Sequence, residues 1–308
     1  MSTVYTLRPI KHISPSSLKM WETQPHRFFM ERILVPGWKR EPSGPAAIRG
    51  TIFDVYAKSN LAETLGTFPA LLEKIGLDPT FPKHKAVEQM IIGSCGDALI
   101  MDKDLEIGRA IYEYYRKILM NSTILFDLSW HDIELRKQIN IVTDEYTIST
   151  YCKGDFSLSK QDILFPGDWK VIGSNSSASP KKFYQLIFDE NLLNRGSHKG
   201  WYPQIHMEDI DSGWATQLVF TGWQLGYSYE SSKMVDYDGI IHCLVCDTTK
   251  EPLKIRLAIY RACISVTWQR KVLERVINMW RSIADGSYYN LMKSIDLTSM
   301  IAKDENWF

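Results

Sequence analysis

The hydrophobic period of this chain changes once, near Trp130. Before that point apolar residues recur at helical spacing, best seen from Leu105 to Leu119, where Ile107, Ile111, Tyr114, Tyr115 and Ile118 share one side. After it they alternate. Ile133, Leu135, Ile139 and Ile141, then Tyr146, Ile148, Thr150 and Cys152, have the two-residue repeat of two antiparallel strands. Helices that each bury one stripe, followed by strands that each bury one face, restrict the chain to an α/β or α+β architecture.

Ser14-Pro15 ahead of Leu18, Met20 and Trp21 supplies a cap residue and a proline at the first helical position, so a helix is expected from there to about Gln24-Pro25. A second helix should carry Phe28, Phe29, Ile33 and Leu34. Within Ala46 to Leu61 the part after Gly50 reads as helical, and Asn60 to Asn121 as helical throughout, with Gly66, Gly76 and Gly93 as breakers. In the second half Lys153 to Phe156 ends or continues a strand, Ser159 to Asp162 is a polar turn, and Ile163 to Ile172 is the next strand, through Pro166-Gly167. Asp211-Ser212-Gly213 caps a helix from Trp214 to about Leu225. Gly239 to Val245 is a further strand, and Ile255 to Ile283 holds a strand and a long amphipathic helix. The expected organisation is one domain over 1–308, with a helical insertion at about 60–125 and a core at about 130–285.

Composition removes several classes. With 44% hydrophobic and 23% charged residues the chain is too apolar for disorder. Lysine plus arginine number 36, as do aspartate plus glutamate, so no global field attracts a polyanion and any nucleic-acid site must be local. Five cysteines form no even disulfide framework, which favours a reducing cytoplasm. No signal-length or membrane-length apolar stretch is present, so neither export nor a membrane partner is expected. Ser174 to Ser179 reads as a flexible loop, and without a glycine-rich phosphate loop ATP dependence is not expected.

Asp168 and Lys170 stand two residues apart on one strand and so project from the same face, while Asp155 lies on the neighbouring strand. Two carboxylates converging from adjacent strands can hold a hard divalent cation through oxygen. A lysine beside them can orient a metal-bound water, an arrangement suited to phosphodiester hydrolysis. A D-x-K tripeptide alone recurs by chance, and exposed strand residues without a role would look the same.

Several further segments resemble, in order, the RecB-like branch of the PD-(D/E)XK nuclease superfamily. Ile13-Ser14-Pro15-Ser16-Ser17-Leu18 with Gln24-Pro25-His26-Arg27-Phe28 resembles its opening helix and C-P-x-K/R-F element; Arg49-Gly50-Thr51-Ile52-Phe53-Asp54 resembles R-G-x-x-x-H. Lys153-Gly154-Asp155 resembles the G-x-D strand, Asp168-Trp169-Lys170 resembles D-Y-K, and Gln217-Leu218 with Leu225-Gly226 resembles the Q-L-x-x-Y helix. The resemblance implies a restriction-endonuclease-like core, with a mixed central sheet flanked by helices and an inserted N-terminal helical lobe. It implies a Mg2+-dependent DNA exonuclease, with Mn2+ as a substitute, serving viral, phage or bacterial replication, recombination or repair. Asp54, Asp155, Asp168 and the main-chain carbonyl of Trp169 would hold the metal, Lys170 would position the water and stabilise developing charge, and Gln217 would orient Lys170 or the water. A structure-specific or single-strand endonuclease, or a non-catalytic DNA-binding protein on the same fold, is the alternative. DNA is the implied partner, with a single-strand annealing or other recombination protein and an oligomeric assembly as further ones, in the cytoplasm of the cell or of a viral host.

The chain departs from this pattern in places. Asp54 replaces histidine with a harder ligand that suits magnesium or manganese. Thr221 stands where the helix would have tyrosine, with Phe220 and Trp223 near enough to supply an aromatic surface, and Gln185 is a rival to Gln217. Choosing Gln217 enlarges 174–212 into a substrate-handling segment, whose Lys181, Lys182, Arg195, His198 and Lys199 could meet a phosphate backbone, although an ordinary solvated loop explains them equally well. Some relatives carry an iron-sulphur cluster, but here Gln24 replaces the opening cysteine. Cys243 and Cys246 lie three apart in a strand and point to opposite faces, so buried thiols and no cluster are expected.

Overall fold

The computed structural model describes residues 6–35, 37, 42–119, 128–174, 186–188 and 206–288. A short ribbon of β1 (Thr6–Leu7) and β2 (Leu34–Val35) encloses α1 (Pro15–Thr23), α2 (Pro25–Phe28) and a π-helical turn at Phe29–Ile33. Ser14 starts α1 as a reciprocal cap, its hydroxyl accepting from the Ser17 amide while Ser17 answers the Ser14 amide. The helix expected over Phe28 to Leu34 thus becomes a π turn, and Leu34 joins a strand.

Four helices follow: α3 (Pro45–Thr64), α4 (Phe68–Ile75), α5 (Lys83–Cys95) and α6 (Asp102–Leu119). Two expectations are corrected here. Helix α3 begins at Pro45 rather than after Gly50, because proline at the first position favours initiation and one interior glycine costs only about 1 kcal/mol. Gly93 lies inside α5; the chain turns at Gly96, which has φ 58°, as Gly66 and Gly76 turn it with φ 69° and 79°. Helices α3 and α6 cross where a Cβ on Gly108 would lie 2.6 Å from Ile52 Cγ2, and Arg49 clamps the pair through Asp104 at 2.7 Å.

The rest is a mixed sheet of five long strands with a short sixth at its edge, in the order β3-β4-β5-β7-β8-β6. Strands β3 (Ser129–Val142), β4 (Thr147–Lys160) and β5 (Ile163–Gly173) form antiparallel pairs; the turn before β5 is shorter than expected because β4 runs to Lys160. After β6 (Leu186–Phe188) and α7 (Met207–Ile210), helix α8 (Ser212–Leu225) crosses over to β7 (Tyr237–Asp247), which returns parallel to β5. Asp211 caps α8 by accepting from the Gly213 and Trp214 amides. Strand β8 (Lys254–Ile264) and helix α9 (Val266–Ala284) complete the order.

Each sheet face has its own core. Helices α3 to α6 pack with Ile133, Phe156, Trp169, Ile240, Leu244 and Cys246 on one side. Helices α1, α8 and α9 pack with Ile148, Cys152, Ile241, Cys243 and Val245 on the other. Cys243 and Cys246 therefore face opposite cores, and neither is in a disulfide. Among the described residues no helix is long and apolar enough to cross a membrane.

One buried polar chain ties the α3–α6 layer to the sheet. Trp169 Nε1 donates to the Tyr115 hydroxyl at 2.8 Å, and that hydroxyl pairs with His242 Nδ1 at 2.6 Å, all three residues being buried. Tyr115→Phe keeps the ring and strands both partners, so an unfolding loss of about 2–4 kcal/mol is expected, at one to two unsatisfied buried groups. Urea unfolding should show a lower midpoint with an unchanged slope. A loss below about 1 kcal/mol would mean that water or a shift of the chain satisfies them.

Candidate functional site

The sheet forks at one point, and the fork makes the site. The β4–β5 ladder runs from Lys160↔Ile163 to Phe156↔Gly167 and goes no further, whereas β5 continues along β7 from Gly167↔Ile240. Asp155 and Asp168 are the first residues past the end of that ladder. With no β4 carbonyl to meet, the Trp169 amide donates instead to Asp155 Oδ2 at 3.0 Å. The opening lets α3 reach the carboxylates from one face of the sheet and α8 from the other.

From α8, Gln217 holds both members of the D-x-K pair: its Nε2 donates to Asp168 Oδ1 at 3.0 Å, and its Oε1 accepts from Lys170 Nζ at 2.8 Å. Lys170 is also ion-paired with Asp168 Oδ2. Helix α8 approaches closely because Gly154 carries no Cβ; one would lie 2.8 Å from Thr221 Cγ2. The glycine before Asp155 thus sets a packing distance.

From α3, Asp54 and Lys58 stand one turn apart. Lys58 Nζ lies 2.7 Å from Asp54 Oδ2, 2.5 Å from Glu134 Oε2 and 3.1 Å from Asp155 Oδ1, and its side chain is only 7% exposed. Glu134 adopts φ 57°, a left-handed conformation that is costly for a residue with a Cβ, and its buried carboxylate is also held by Arg136. A cavity of about 530 Å3 opens over this group, with Leu77 and Met90 from the helical layer and Arg136 and Lys153 from the sheet among its walls.

Burial sets the charge states, modified by neighbours. Asp155 would be raised by burial, but Lys58, the hydrogen bond with Asp168, Lys170 and the Trp169 amide together hold it far below the usual range. Asp168 is driven well above that range by burial and by the Asp155 charge, against the pull of Lys170. Shifts in opposite directions are what two carboxyls produce when the charge of one opposes ionisation of the other. Burial works against the charge of Lys58 and Lys170, yet the surrounding carboxylates outweigh it and keep both firmly protonated.

Burial pushes Asp54 up to about 7 despite Lys58, with the Asp155 charge adding to the rise. A folded carboxyl that holds its proton more tightly than the unfolded chain stabilises at low pH, and this contribution is lost as pH rises from about 4 to about 7. In chelator, Asp54→Asn should therefore gain stability relative to the parent across that window. Because Asp54 keeps 29% side-chain exposure, the gain should be on the order of 1–3 kcal/mol. Denaturant midpoints of both proteins at pH 4, 6 and 8 test this; a constant difference would contradict the shift.

The structure thus brings Asp54, Asp155, Asp168, Lys170 and Gln217 together, with Trp169 in their midst, its indole in the core. Phe220 and Trp223 are buried and offer no aromatic surface, because the face of α8 that carries them packs into the core. Gln185, Lys181, Lys182, Arg195, His198 and Lys199 lie outside the described residues, as does all of the Ser174 to Ser179 loop but Ser174. Two members of the cluster, Lys58 and Glu134, escape the motif-based reading. The four-residue spacing from Asp54 to Lys58 and the acidic residue between Ile133 and Leu135 are the signals that point to them.

The donor set is hard oxygen drawn from α3, β4 and β5, and Asp54 Oδ1 is buried without a hydrogen-bond partner, which suits a hard cation in kind. No three of the His, Cys, Asp and Glu side chains among the described residues are spaced as a finished cage, two ammonium groups standing between the carboxylates. No family model and no curated protein sequence matches the chain.

Proposed function

We propose that this protein is a metal-dependent DNA nuclease of the PD-(D/E)XK kind and, following the RecB-like resemblance, an exonuclease of viral, phage or bacterial replication, recombination or repair. The observation that carries the reading is the fork: Asp155 and Asp168 meet where two strands part, with Lys170 on the same face and Gln217 closed on both Asp168 and Lys170. The sheet also supports a restriction-endonuclease-like core, since an antiparallel hairpin leads through a helical crossover to a parallel return strand.

Asp155, Asp168 and Asp54, with the Trp169 carbonyl, would hold Mg2+ or Mn2+. When bound, such an ion polarises a phosphoryl oxygen and makes water a nucleophile at neutral pH. The chain's own residues supply the rest. Lys170, fixed by Gln217, holds a positive charge where an attacking water and the developing phosphorane charge would need it. Arg136 and Lys153 on the cavity wall offer cations to the phosphates of a bound strand. In-line hydrolysis would leave a 5′-phosphate and a 3′-hydroxyl. A cytoplasmic location, the host's if the protein is viral, goes with this reading.

The direct test is incubation of linear and circular DNA with the purified protein in magnesium and in chelator. Degradation of linear DNA in magnesium alone is the expected result. Inert DNA in both magnesium and manganese would overturn the reading.

A further inference from the structure

Resting on the metal-site reading above, we infer that Lys58 is the resident counter-ion of the metal-free site, and that loading a divalent cation is an exchange in which the Lys58 ammonium leaves the carboxylates. Lys58 Nζ touches Asp54, Glu134 and Asp155, which belong to α3, β3 and β4, so one ammonium closes a gap between three elements. Two of those carboxylates, Asp54 and Asp155, belong to the donor set assigned to the metal. Two cations cannot share the same oxygens at contact distance without strong repulsion, in a site where burial weakens screening.

One oxygen of the group is open to an incoming cation: Asp54 Oδ1 is buried and has no hydrogen-bond partner. A route out exists as well. Lys58 itself lines the cavity of about 530 Å3, and a flexible four-carbon stem can carry its ammonium from the carboxylates into that space. There it would join Arg136 and Lys153, so metal loading would also raise the positive charge facing a strand. A purely structural Lys58 would stay in place with metal bound; the exchange requires that it move.

Free Mn2+, followed by its electron paramagnetic resonance signal during titration, gives the affinity of the parent, Lys58→Met and Asp168→Asn without recourse to activity. Lys58→Met should bind Mn2+ at least about tenfold more tightly than the parent, and Asp168→Asn more weakly, because the first loses a competitor and the second a ligand. Equal or weaker binding by a folded Lys58→Met overturns the exchange. A second measurement uses the unaltered protein: reductive methylation with formaldehyde, read by peptide mass spectrometry, should label Lys58 severalfold faster in saturating Mn2+ than in chelator. Unchanged labelling while Mn2+ is bound removes the exchange and leaves the metal site standing. If parent and variants all fail to bind Mn2+, the metal-site reading falls, and the exchange with it.

Discussion

Magnesium-dependent cleavage of DNA is expected to fall at least about a thousandfold when Asp168 is changed to asparagine or Lys170 to methionine, with the fold retained. Asp168→Asn removes a proposed metal ligand and Lys170→Met a charge that matters most when charge develops on the phosphate, so both losses should appear in kcat rather than in KM. Gln217→Ala should cost less, about 10- to 100-fold, since it only fixes its two neighbours through hydrogen bonds of 3.0 and 2.8 Å. Substrate binding should respond differently. Loss of Lys170 should weaken DNA affinity only modestly, by an amount that shrinks as salt rises, because one cation neutralises few phosphates. Single-turnover cleavage and circular dichroism on the three variants separate these outcomes; full activity in both Asp168→Asn and Lys170→Met would remove the site assignment.

The alternation after Trp130 carries the sheet, and the caps at Ser14 and Asp211 carry the starts of two helices, because each signal is local and each governs local backbone geometry. The D-x-K pair is equally legible, since a two-residue spacing in a strand leaves only one relative orientation. What local pattern does not hold is how β4 and β5 part, which depends on where their ladder stops and on what packs beneath it. Lys58 and Glu134 are hidden for the same reason. A lysine in a helix and a glutamate in a strand are ordinarily solvated, and only the meeting of α3 with β3 and β4 buries these two against each other. Phe220 and Trp223 err in the opposite direction: aromatic side chains beside a site motif suggest a stacking surface, yet the face of α8 that carries them is needed by the core.

Stability should drop by about 3 kcal/mol or more in Gly167→Ala, although this residue carries no side chain, makes no ion pair and has no left-handed backbone. Gly167 faces Phe156 across the last rung of the β4–β5 ladder, and the phenyl ring lies over it: an added Cβ would overlap Cε2 and Cδ2 and lie 2.6 Å from Cζ. The ring has nowhere to go. Phe156 is fully buried, with ring centroids 4.7 Å from Trp169, 5.1 Å from His242 and 5.2 Å from Trp130. Relief must then come from the strand, which would move Asp168 relative to Asp155 and loosen the fork, so metal binding and cleavage should weaken along with stability. Gly173→Ala near the end of the same strand, where an added Cβ meets nothing within 4 Å, serves as the control and should change little. Phe156→Leu in the Gly167→Ala background should recover part of the loss if the overlap with the ring is its cause, since the two changes then share one contact and cannot be additive. Denaturant unfolding of the two single variants, the double variant and the control closes the cycle; additive losses, or a Gly167→Ala protein as stable as Gly173→Ala, would show that the ring over the glycine does not hold the fork.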